Sequence, residues 1–334
     1  MKVGIIGAGL QGRRRAPVIR DWPGAEIKII TAETLESAQP LANEMGAAAG
    51  AGWRGVVDDP EIDVVMVLTP PDLHAPITIA AIQNGKHVFC EKPLSRTLAE
   101  GREMVAAAAA HNKVLKCGFN HRHHPAIAEA KRLFDQGELG RITFARCRYG
   151  ICGRPGYEDE WRADPERTPG GQFVEQGIHA IDLFRWFAGD IAEVTCMTGT
   201  QYFDAQPLDD NGMALLRAKS GALLSLHASL TNWKNLFSLE FFGSEGYLVV
   251  DGLGASYGTE KLIFGKRDFD KPFNDHVTEY RGGDISWKSE WQEFCDAVNE
   301  GRQPMGNGTD GLESLKVALA AYQAEQDKRV ITIE

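Results

Sequence analysis

The first third of the chain alternates short apolar runs with longer amphipathic stretches. The apolar runs are rich in Val and Ile on both faces, which is typical of strands that helices cover on both sides. We predict strands at 3–6, 27–31, 62–69, 87–90 and 114–118, and helices at 10–21, 35–44, 73–84 and 98–111. Because short connections join them, right-handed βαβ units are favoured. The pattern predicts an α/β domain over residues 1–120, built as a doubly wound parallel sheet.

The pattern changes after residue 120, and from Glu193 to Asp251 several runs alternate apolar and polar residues between turn signals. Such spacing is typical of antiparallel hairpins with one face packed and the other partly open. We predict helices at 126–136, 173–188 and 312–324, and strands at 141–149, 213–219, 222–230, 236–242, 247–250 and 330–333. Residues 121–334 are therefore predicted to form an α+β domain.

Length and charge narrow the class of protein. The 334 residues are enough for two domains, and 36 basic against 46 acidic residues give a formal net charge of −10. That charge repels nucleic-acid phosphates and anionic membranes, and no apolar run approaches the ~20 residues of a membrane span. The six cysteines contain no Cys-x-x-Cys pair, and we expect the first residues to form a strand rather than a leader. We expect a cytoplasmic protein with small-molecule or protein partners, and neither nucleic acid nor membrane.

A glycine-rich turn follows the first predicted strand. Residues 7–12 read G-A-G-L-Q-G, which fits G-x-G-x-x-G at the start of the first predicted helix. Gly7 permits a tight turn, Gly9 lets the backbone approach a pyrophosphate, and Gly12 permits close helix–strand packing. Leu10 and Gln11 lie at the helix N-terminus, whose unpaired N–H groups attract phosphates. We predict dinucleotide binding here; the alternative is a purely structural turn.

The residues at the position expected to bind the adenosine ribose do not decide between NAD and NADP. An acidic side chain is expected about 20 positions after the glycines, and that place holds Ala32 with Glu33 beside it. Glu33 would accept from ribose hydroxyls and repel a 2′-phosphate, which favours NAD. Arg13 and Arg14 are the residues that would receive the 2′-phosphate of NADP.

The tripeptide Glu91-Lys92-Pro93 ends a predicted strand, at the edge where open α/β sheets build their sites. Proline fixes the turn after Lys92. Desolvation and a nearby positive charge would lower the pKa of this lysine, so that it could relay a proton near neutral pH. The alternative is an exposed lysine at a strand end.

A second cluster of chemically active residues lies in the predicted helix at 173–188. Glu175 and His179 are four apart and share one helix face, with Asp182 three residues further on. Histidine can take the proton of a hydroxyl while a hydride leaves the same carbon, and Gly170-Gly171 would let a substrate approach. The alternatives are an ordinary amphipathic helix and a metal site, which lacks a further ligand.

Several polar and aromatic residues before this cluster are candidates for binding substrate. The run His121-Arg122-His123-His124 suggests a metal, but neighbours on an extended chain point opposite ways and do not converge on one ion. We therefore predict no metal and give Asn120 and Arg122 a place at the edge of a cleft. The remaining candidates for contact with a polyol ring are Tyr157, Trp161 and Arg162. Trp161 could equally fill the core.

Together these motifs resemble those of the Gfo/Idh/MocA family, which includes glucose–fructose oxidoreductase and inositol dehydrogenase. The matching pieces are G-x-G-x-x-G at 7–12, T-P-P-x-x-H at 69–74, G-K-H-V at 85–88, E-K-P at 91–93, and G-G at 170–171 through E-x-G-x-H-x-x-D at 175–182. They occur in the family's order and span nearly the whole chain. The match is weakest at 251–284.

The resemblance implies a Rossmann domain followed by a domain on an open, largely antiparallel sheet. It makes Lys92 and His179 the catalytic lysine and histidine, with Glu175 where many members have Asp. It assigns further cofactor contacts to Thr69, Pro70, Pro71, His74 and Glu91, besides Lys92.

The implied reaction is NAD(P)-dependent oxidation or reduction of a sugar, sugar derivative or cyclitol. A secondary hydroxyl is expected between Lys92 and His179, one of which takes its proton. The alternatives are an NAD-dependent glycosidase that works through transient oxidation, reduction of a flat substrate such as biliverdin on the same scaffold, and a non-enzymatic NAD(H) sensor. Many members associate through the second domain's sheet, so a homodimer or homotetramer is expected.

Overall fold

The computed structural model describes residues 1–254 and 256–334. The chain divides into two compact units, each described here by itself. The first comprises Met1–Phe119 and Trp287–Glu313, and the second comprises Asn120–Ser286 and Ser314–Glu334. The division at Phe119 lies one residue from the predicted boundary. The structure differs from the prediction in giving Trp287–Glu313 to the first unit.

The first unit is built on a parallel sheet with strand order β3-β2-β1-β4-β5-β6. Its strands are β1 (Lys2–Ile6), β2 (Glu26–Ala32), β3 (Ala48–Ala51), β4 (Val64–Val67), β5 (His87–Cys90) and β6 (Leu115–Cys117). Its helices are α1 (Leu10–Arg20), α2 (Leu35–Met45), α3 (Arg54–Val57), α4 (His74–Gln83), α5 (Leu98–Ala110) and α9 (Ser286–Glu300), which begins at the end of the second unit. The order reverses at β1, so the carboxyl ends of β1 and β4 flank the crevice where such sheets bind ligands. The predicted doubly wound fold is confirmed.

Helix α9 explains why Trp287–Glu313 belongs to this unit. Trp291 and Phe294 are 1% and 0% exposed and pack in one apolar cluster with Phe89 of β5. The Phe89 and Phe294 rings meet edge to face with centroids 5.6 Å apart. Burying two large aromatic side chains is a favourable contribution of several kcal/mol, about 2–3 each. The helix therefore packs where its apolar face is covered.

The second unit is built on a mixed sheet with strand order β14-β13-β12-β11-β7-β10-β9-β8-β15. Its strands are β7 (Ile142–Cys152), β8 (Ile191–Gly199), β9 (Asn211–Ala218), β10 (Leu223–Ser229), β11 (Thr231–Gly243), β12 (Gly246–Asp251), β13 (Glu260–Lys266), β14 (His276–Tyr280) and β15 (Ile331–Thr332). Its helices are α6 (Pro125–Asp135), α7 (Gln172–Glu175) and α8 (Gly177–Ala188), while α10 (Gly308–Asp327) begins in the first unit's segment. Neighbouring strands are antiparallel except β7 and β10, which pair in parallel. The predicted, largely antiparallel sheet is confirmed.

One face of this sheet is covered by α8. Phe187 stacks on Phe241 of β11 with ring centroids 4.2 Å apart, and Phe184 meets the same ring edge to face. Strand β9 alternates buried and exposed residues from Gly212 to Ala218, as expected when only one face is covered. The second unit thus presents an open sheet face opposite α8.

The single helix predicted at 173–188 is two helices. α7 ends at Glu175, Gln176 has φ −107°, and α8 begins at Gly177. Glu175 and His179 therefore do not lie on one continuous helix face. A glycine at this place stabilises a helix poorly, which is why the backbone can turn here.

Candidate functional site

The glycine turn between β1 and α1 is shaped to hold a phosphate group. Gly7 has φ +117°, and a Cβ there would lie 2.5 Å from the Leu68 carbonyl oxygen. A Cβ on Gly12 would lie 2.4 Å from the Gly7 oxygen, whereas one on Gly9 would meet no described atom within 4 Å. Two of the three glycines thus permit close packing, and Gly9 keeps the approach to the helix open.

The N-terminus of α1 adds the electrostatic half of this site. Gly9 is its N-cap, no described side chain caps it, and the first turn carries no acidic residue. Leu10 is exposed and Gln11 half-buried. Free backbone N–H groups and the positive end of the helix dipole are the donors that a pyrophosphate needs. The residues present therefore fit the dinucleotide that the sequence predicts.

The end of β2 carries the residues that would meet the adenosine ribose. Ala32 is the last residue of β2, and Glu33 follows it with an exposed side chain. Arg13 and Arg14 on α1 are also exposed, and the Arg14 guanidinium lies 5.7 Å from the Trp287 ring. Both the residue that favours NAD and the pair that favours NADP are accessible.

His74 joins two loops that follow β4 and β5. Its ring nitrogens lie 2.8 Å from the Thr69 carbonyl oxygen and 2.9 Å from that of Pro93. Burial lowers the pKa of His74 below its ordinary value. The ring is fully buried, so its visible role is to hold Thr69, Pro70 and Pro71 against the turn that follows Lys92. Its predicted contact with the cofactor stays a prediction.

Glu91 belongs to a buried cluster of charges that the sequence analysis did not predict. The Arg15 guanidinium on α1 donates to Glu91 at 2.6 Å and to Glu290 at 2.9 Å. Lys116 on β6 lies 3.0 Å from the other oxygen of Glu290. The backbone N–H of Lys92 donates to Glu91 at 3.2 Å. Arg15 thereby fixes the carboxylate beside the predicted catalytic lysine, whose own side chain is half-buried.

In the second unit the structure brings Glu175, Arg162 and Trp161 together. The Arg162 Nε donates to Glu175 at 3.3 Å, and its guanidinium lies over the Trp161 ring at 4.2 Å. All three side chains are half-buried. A carboxylate, a fork of N–H donors and an aromatic face are the groups that bind a ring bearing several hydroxyls.

Asp209, which the sequence analysis missed, holds the turn before Glu175. Its carboxylate accepts from the backbone N–H groups of Gly171 and Phe173 at 3.2 and 2.7 Å and from the Tyr322 hydroxyl at 2.7 Å. Burial raises the pKa of Asp209. A Cβ on Gly171 would lie 2.1 Å from the Asp209 carbonyl oxygen. The Gly170-Gly171 pair is thus needed for packing between Asp209 and Tyr322.

His179 lies in the first turn of α8 with its ring stacked on His121. The ring centroids are 3.8 Å apart and the planes are inclined by 22°. His121 also contacts the Tyr149 hydroxyl at 3.0 Å and the Asn120 amide oxygen at 3.1 Å. Asn120, a predicted substrate residue, is buried and donates to Ser286 at 3.0 Å.

Two other predicted substrate residues have structural contacts. The Arg122 guanidinium donates to both carboxylate oxygens of Asp182, at 2.8 and 2.6 Å, and both side chains are buried. Asp182 is therefore engaged by a guanidinium, which weakens the alternative of a metal bound by Glu175, His179 and Asp182. Tyr157 is buried in a small apolar cluster with Phe203. Contacts of Arg122 and Tyr157 with substrate stay predictions.

Two family models cover most of the chain. An "Oxidoreductase family, NAD-binding Rossmann fold" model matches residues 1–119, and a "GFO/IDH/MocA C-terminal domain" model matches residues 127–249. The fold and the site thus define an NAD(P)-dependent oxidoreductase. The chain belongs to the GFO/IDH/MocA family. The predicted family, fold and cofactor class are confirmed.

The similar proteins act on sugars and cyclitols. Levoglucosan dehydrogenase of Pseudarthrobacter phenanthrenivorans is 31% identical over 287 residues, which are 75% of this chain and 73% of the relative. The scyllo-inositol 2-dehydrogenase (NAD(+)) of Bacillus subtilis is 27% identical over 340 residues, 96% of this chain and 93% of the relative. A levoglucosan dehydrogenase structure in complex with NADH and levoglucosan superposes with a TM-score of 0.90 at 26% identity, covering 100% of this chain and 99% of the other. The predicted activity, an NAD(P)-dependent dehydrogenase of this substrate class, agrees with these relatives.

Among the described residues, none of the helices has the length and apolar character to cross a membrane. The predicted cytoplasmic location stays a prediction.

Proposed function

We propose that this protein transfers a hydride between NAD and a secondary hydroxyl or ketone of a sugar, sugar derivative or cyclitol. The observation that carries the substrate class is the cluster of Trp161, Arg162 and Glu175, which offers an aromatic face beside a carboxylate and a guanidinium. Such groups suit a hydroxylated ring better than a flat apolar one. The open turn at Gly9 supports the cofactor.

We further propose that Lys92 and His179 bind the reacting hydroxyl and exchange its proton. Bound NAD supplies the hydride acceptor for the oxidation. Imidazole is suited to this exchange because its ordinary pKa lies near neutrality. Glu175, with Arg162 beside it, holds neighbouring hydroxyls and so fixes which carbon reacts.

The test is a substrate panel of aldoses, uronates, nucleotide sugars, glycosides and inositols, each assayed with NAD and with NADP by the absorbance of reduced nicotinamide. We expect accumulation of NADH and a keto product with at least one class. His179→Asn and Lys92→Met should each lower kcat by orders of magnitude and leave NADH binding unchanged. Release of a free sugar from a glycoside without net NADH would instead identify a hydrolase that recycles its cofactor and would refute the proposal.

For the cofactor we propose NAD over NADP because Glu33 directly follows β2 with its carboxylate exposed. A carboxylate accepts from both ribose hydroxyls and repels a 2′-phosphate. Parallel KM measurements with the two cofactors check this preference, and equal values would contradict it.

We also propose that the protein forms a homodimer or homotetramer through the open face of the second sheet. Large apolar side chains on adjacent strands are exposed there: Phe144, Met197, Met213, Leu215 and Leu223. Between them, the Arg146 guanidinium pairs with Glu240 at 2.5 Å, so the face carries charges of both signs. A self-complementary patch of this kind suits a two-fold interface between copies of one chain. Light scattering should give a multiple of the 36.6 kDa chain mass, and Leu215→Glu should lower it; a monomeric wild-type protein would refute the proposal.

A further inference from the structure

His121 supplies a fixed aromatic surface for His179. The two rings are nearly parallel, with centroids 3.8 Å apart, and both residues are buried, at 5% and 4% exposure. His121 comes from the 3₁₀ turn Asn120–His123, whereas His179 comes from α8. Contact across so short a distance restricts rotation of both rings about their Cβ–Cγ bonds.

A chain of hydrogen bonds sets the orientation of His121. The Ser286 hydroxyl donates to Asp284 at 2.6 Å, so its oxygen is the acceptor for the Asn120 amide N–H₂ at 3.0 Å. The Asn120 carbonyl oxygen therefore faces His121 Nδ1 at 3.1 Å, and that nitrogen must carry the proton. Each donor in this chain meets one acceptor.

The opposite side of the His121 ring completes the arrangement. Nε2 lies 3.0 Å from the Tyr149 hydroxyl, and burial raises the pKa of Tyr149 well above its ordinary value. Tyr149 therefore stays protonated, and its hydroxyl donates to the Tyr257 hydroxyl at 3.5 Å. Rotation of the His121 ring is thus fixed at both nitrogens.

We propose that His121, held by Tyr149 and Asn120, is a positioning residue that orients the His179 imidazole for proton exchange with substrate. This inference rests on the proposed role of His179. The flat His121 ring keeps the His179 ring in one plane. The effect belongs to the proton-exchange step rather than to binding of sugar or cofactor.

The test separates turnover from binding. Since a small misplacement of a reacting group can cost about a hundredfold, His121→Ala should lower kcat by about tenfold to a hundredfold, with the sugar KM and the NADH dissociation constant near wild type. His121→Phe keeps a flat ring without the nitrogens and should give a kcat between those of His121→Ala and wild type. Tyr149→Phe removes the hydroxyl that contacts His121 and should also lower kcat. His123→Ala, on the same turn, measures the cost of deleting a neighbouring buried imidazole.

A double variant distinguishes this inference from the function on which it rests. Adding His121→Ala to His179→Asn should cause no further loss, because His121 acts through His179. Retained turnover in His179→Asn would remove the proposed function itself. Loss of turnover in His179→Asn, with wild-type kcat in folded His121→Ala and His121→Phe, would overturn only the positioning role. A rise in KM without a fall in kcat would also overturn it.

Discussion

Loss of the Glu290 carboxylate should weaken the first unit. It is fully buried and pairs with two cations, Arg15 at 2.9 Å and Lys116 at 3.0 Å. Arg15 also pairs with Glu91, so the cluster holds two positive and two negative charges. Glu290→Gln keeps the shape of the side chain and removes one negative charge. The cluster is then left with a net positive charge away from water.

The size of the effect follows from this imbalance. Breaking a buried ion pair by removing one partner costs about 3–5 kcal/mol, because the remaining charge is desolvated without compensation. Arg15 retains Glu91, but the Lys116 ammonium is left with the Cys117 carbonyl oxygen at 3.1 Å. We therefore expect a loss of about 3–5 kcal/mol, a large part of the ~5–15 kcal/mol that stabilises a typical domain.

Urea unfolding measures this loss. Tryptophan fluorescence and circular dichroism should be followed in parallel, so that a separate transition of one unit is seen. Glu300→Gln is the matched control, since Glu300 lies on the same helix with an exposed pair to Arg302, and it should change little. The double variant Glu290→Gln/Lys116→Met should regain most of the lost free energy of unfolding, because it removes the unpaired cation.

The reasoning would be refuted if Glu290→Gln behaved like Glu300→Gln. That result would mean that the charges of Arg15 and Lys116 are compensated without the Glu290 carboxylate. A second contrary outcome is a large loss in Glu290→Gln that Glu290→Gln/Lys116→Met does not regain. That outcome would show that the hydrogen bonds of the Glu290 carboxylate, rather than the charge balance of the cluster, determine the stability.

Three further outcomes follow from the site and the pKa shifts. Lys92→Arg keeps the positive charge but should still lose most turnover, because the wider guanidinium cannot take the place of an ammonium. Steady-state kcat measures this loss. A kcat near wild type would exclude proton exchange by Lys92. Glu33→Gln should raise KM for NAD and lower KM for NADP, which parallel titrations with the two cofactors would show. An unchanged ratio of the two KM values would exclude Glu33 from the ribose site. Burial lowers the pKa of His87 below its ordinary 6.5, so the unfolded chain binds a proton first as pH falls, and the free energy of unfolding should fall below about pH 6.5. His87→Gln should reduce that pH dependence, and an unchanged dependence would contradict the assignment to His87.

Much of the first unit could be predicted because its signals are local. Strands such as Val64–Val67 are continuously apolar, and the glycine turn follows directly from its spacing. Strand β3 was missed because its sequence, Ala-Ala-Gly-Ala, contains no β-branched residue, so only its pairing with β2 makes it a strand. Helix α9 was missed although Trp291, Phe294 and Val298 lie at helical spacing, a signal that the charged residues around them obscured.

The sequence motifs named the candidate catalytic residues, whose roles stay predictions, but not the hydrogen bonds that hold their loops. His74, Asp209 and His121 each fix a loop through hydrogen bonds to groups distant in sequence, such as Tyr322 for Asp209. Hydrophobic periodicity carries no information on such pairs, because a buried polar residue looks like a loop residue until its partner is known. Arg122 shows the converse, since its bidentate contact with Asp182, 60 residues away, gives a structural role to a residue expected at a binding site. A polar residue in a site motif therefore has two explanations, ligand contact and loop support. Only its hydrogen-bond partners and a kcat–KM comparison distinguish them.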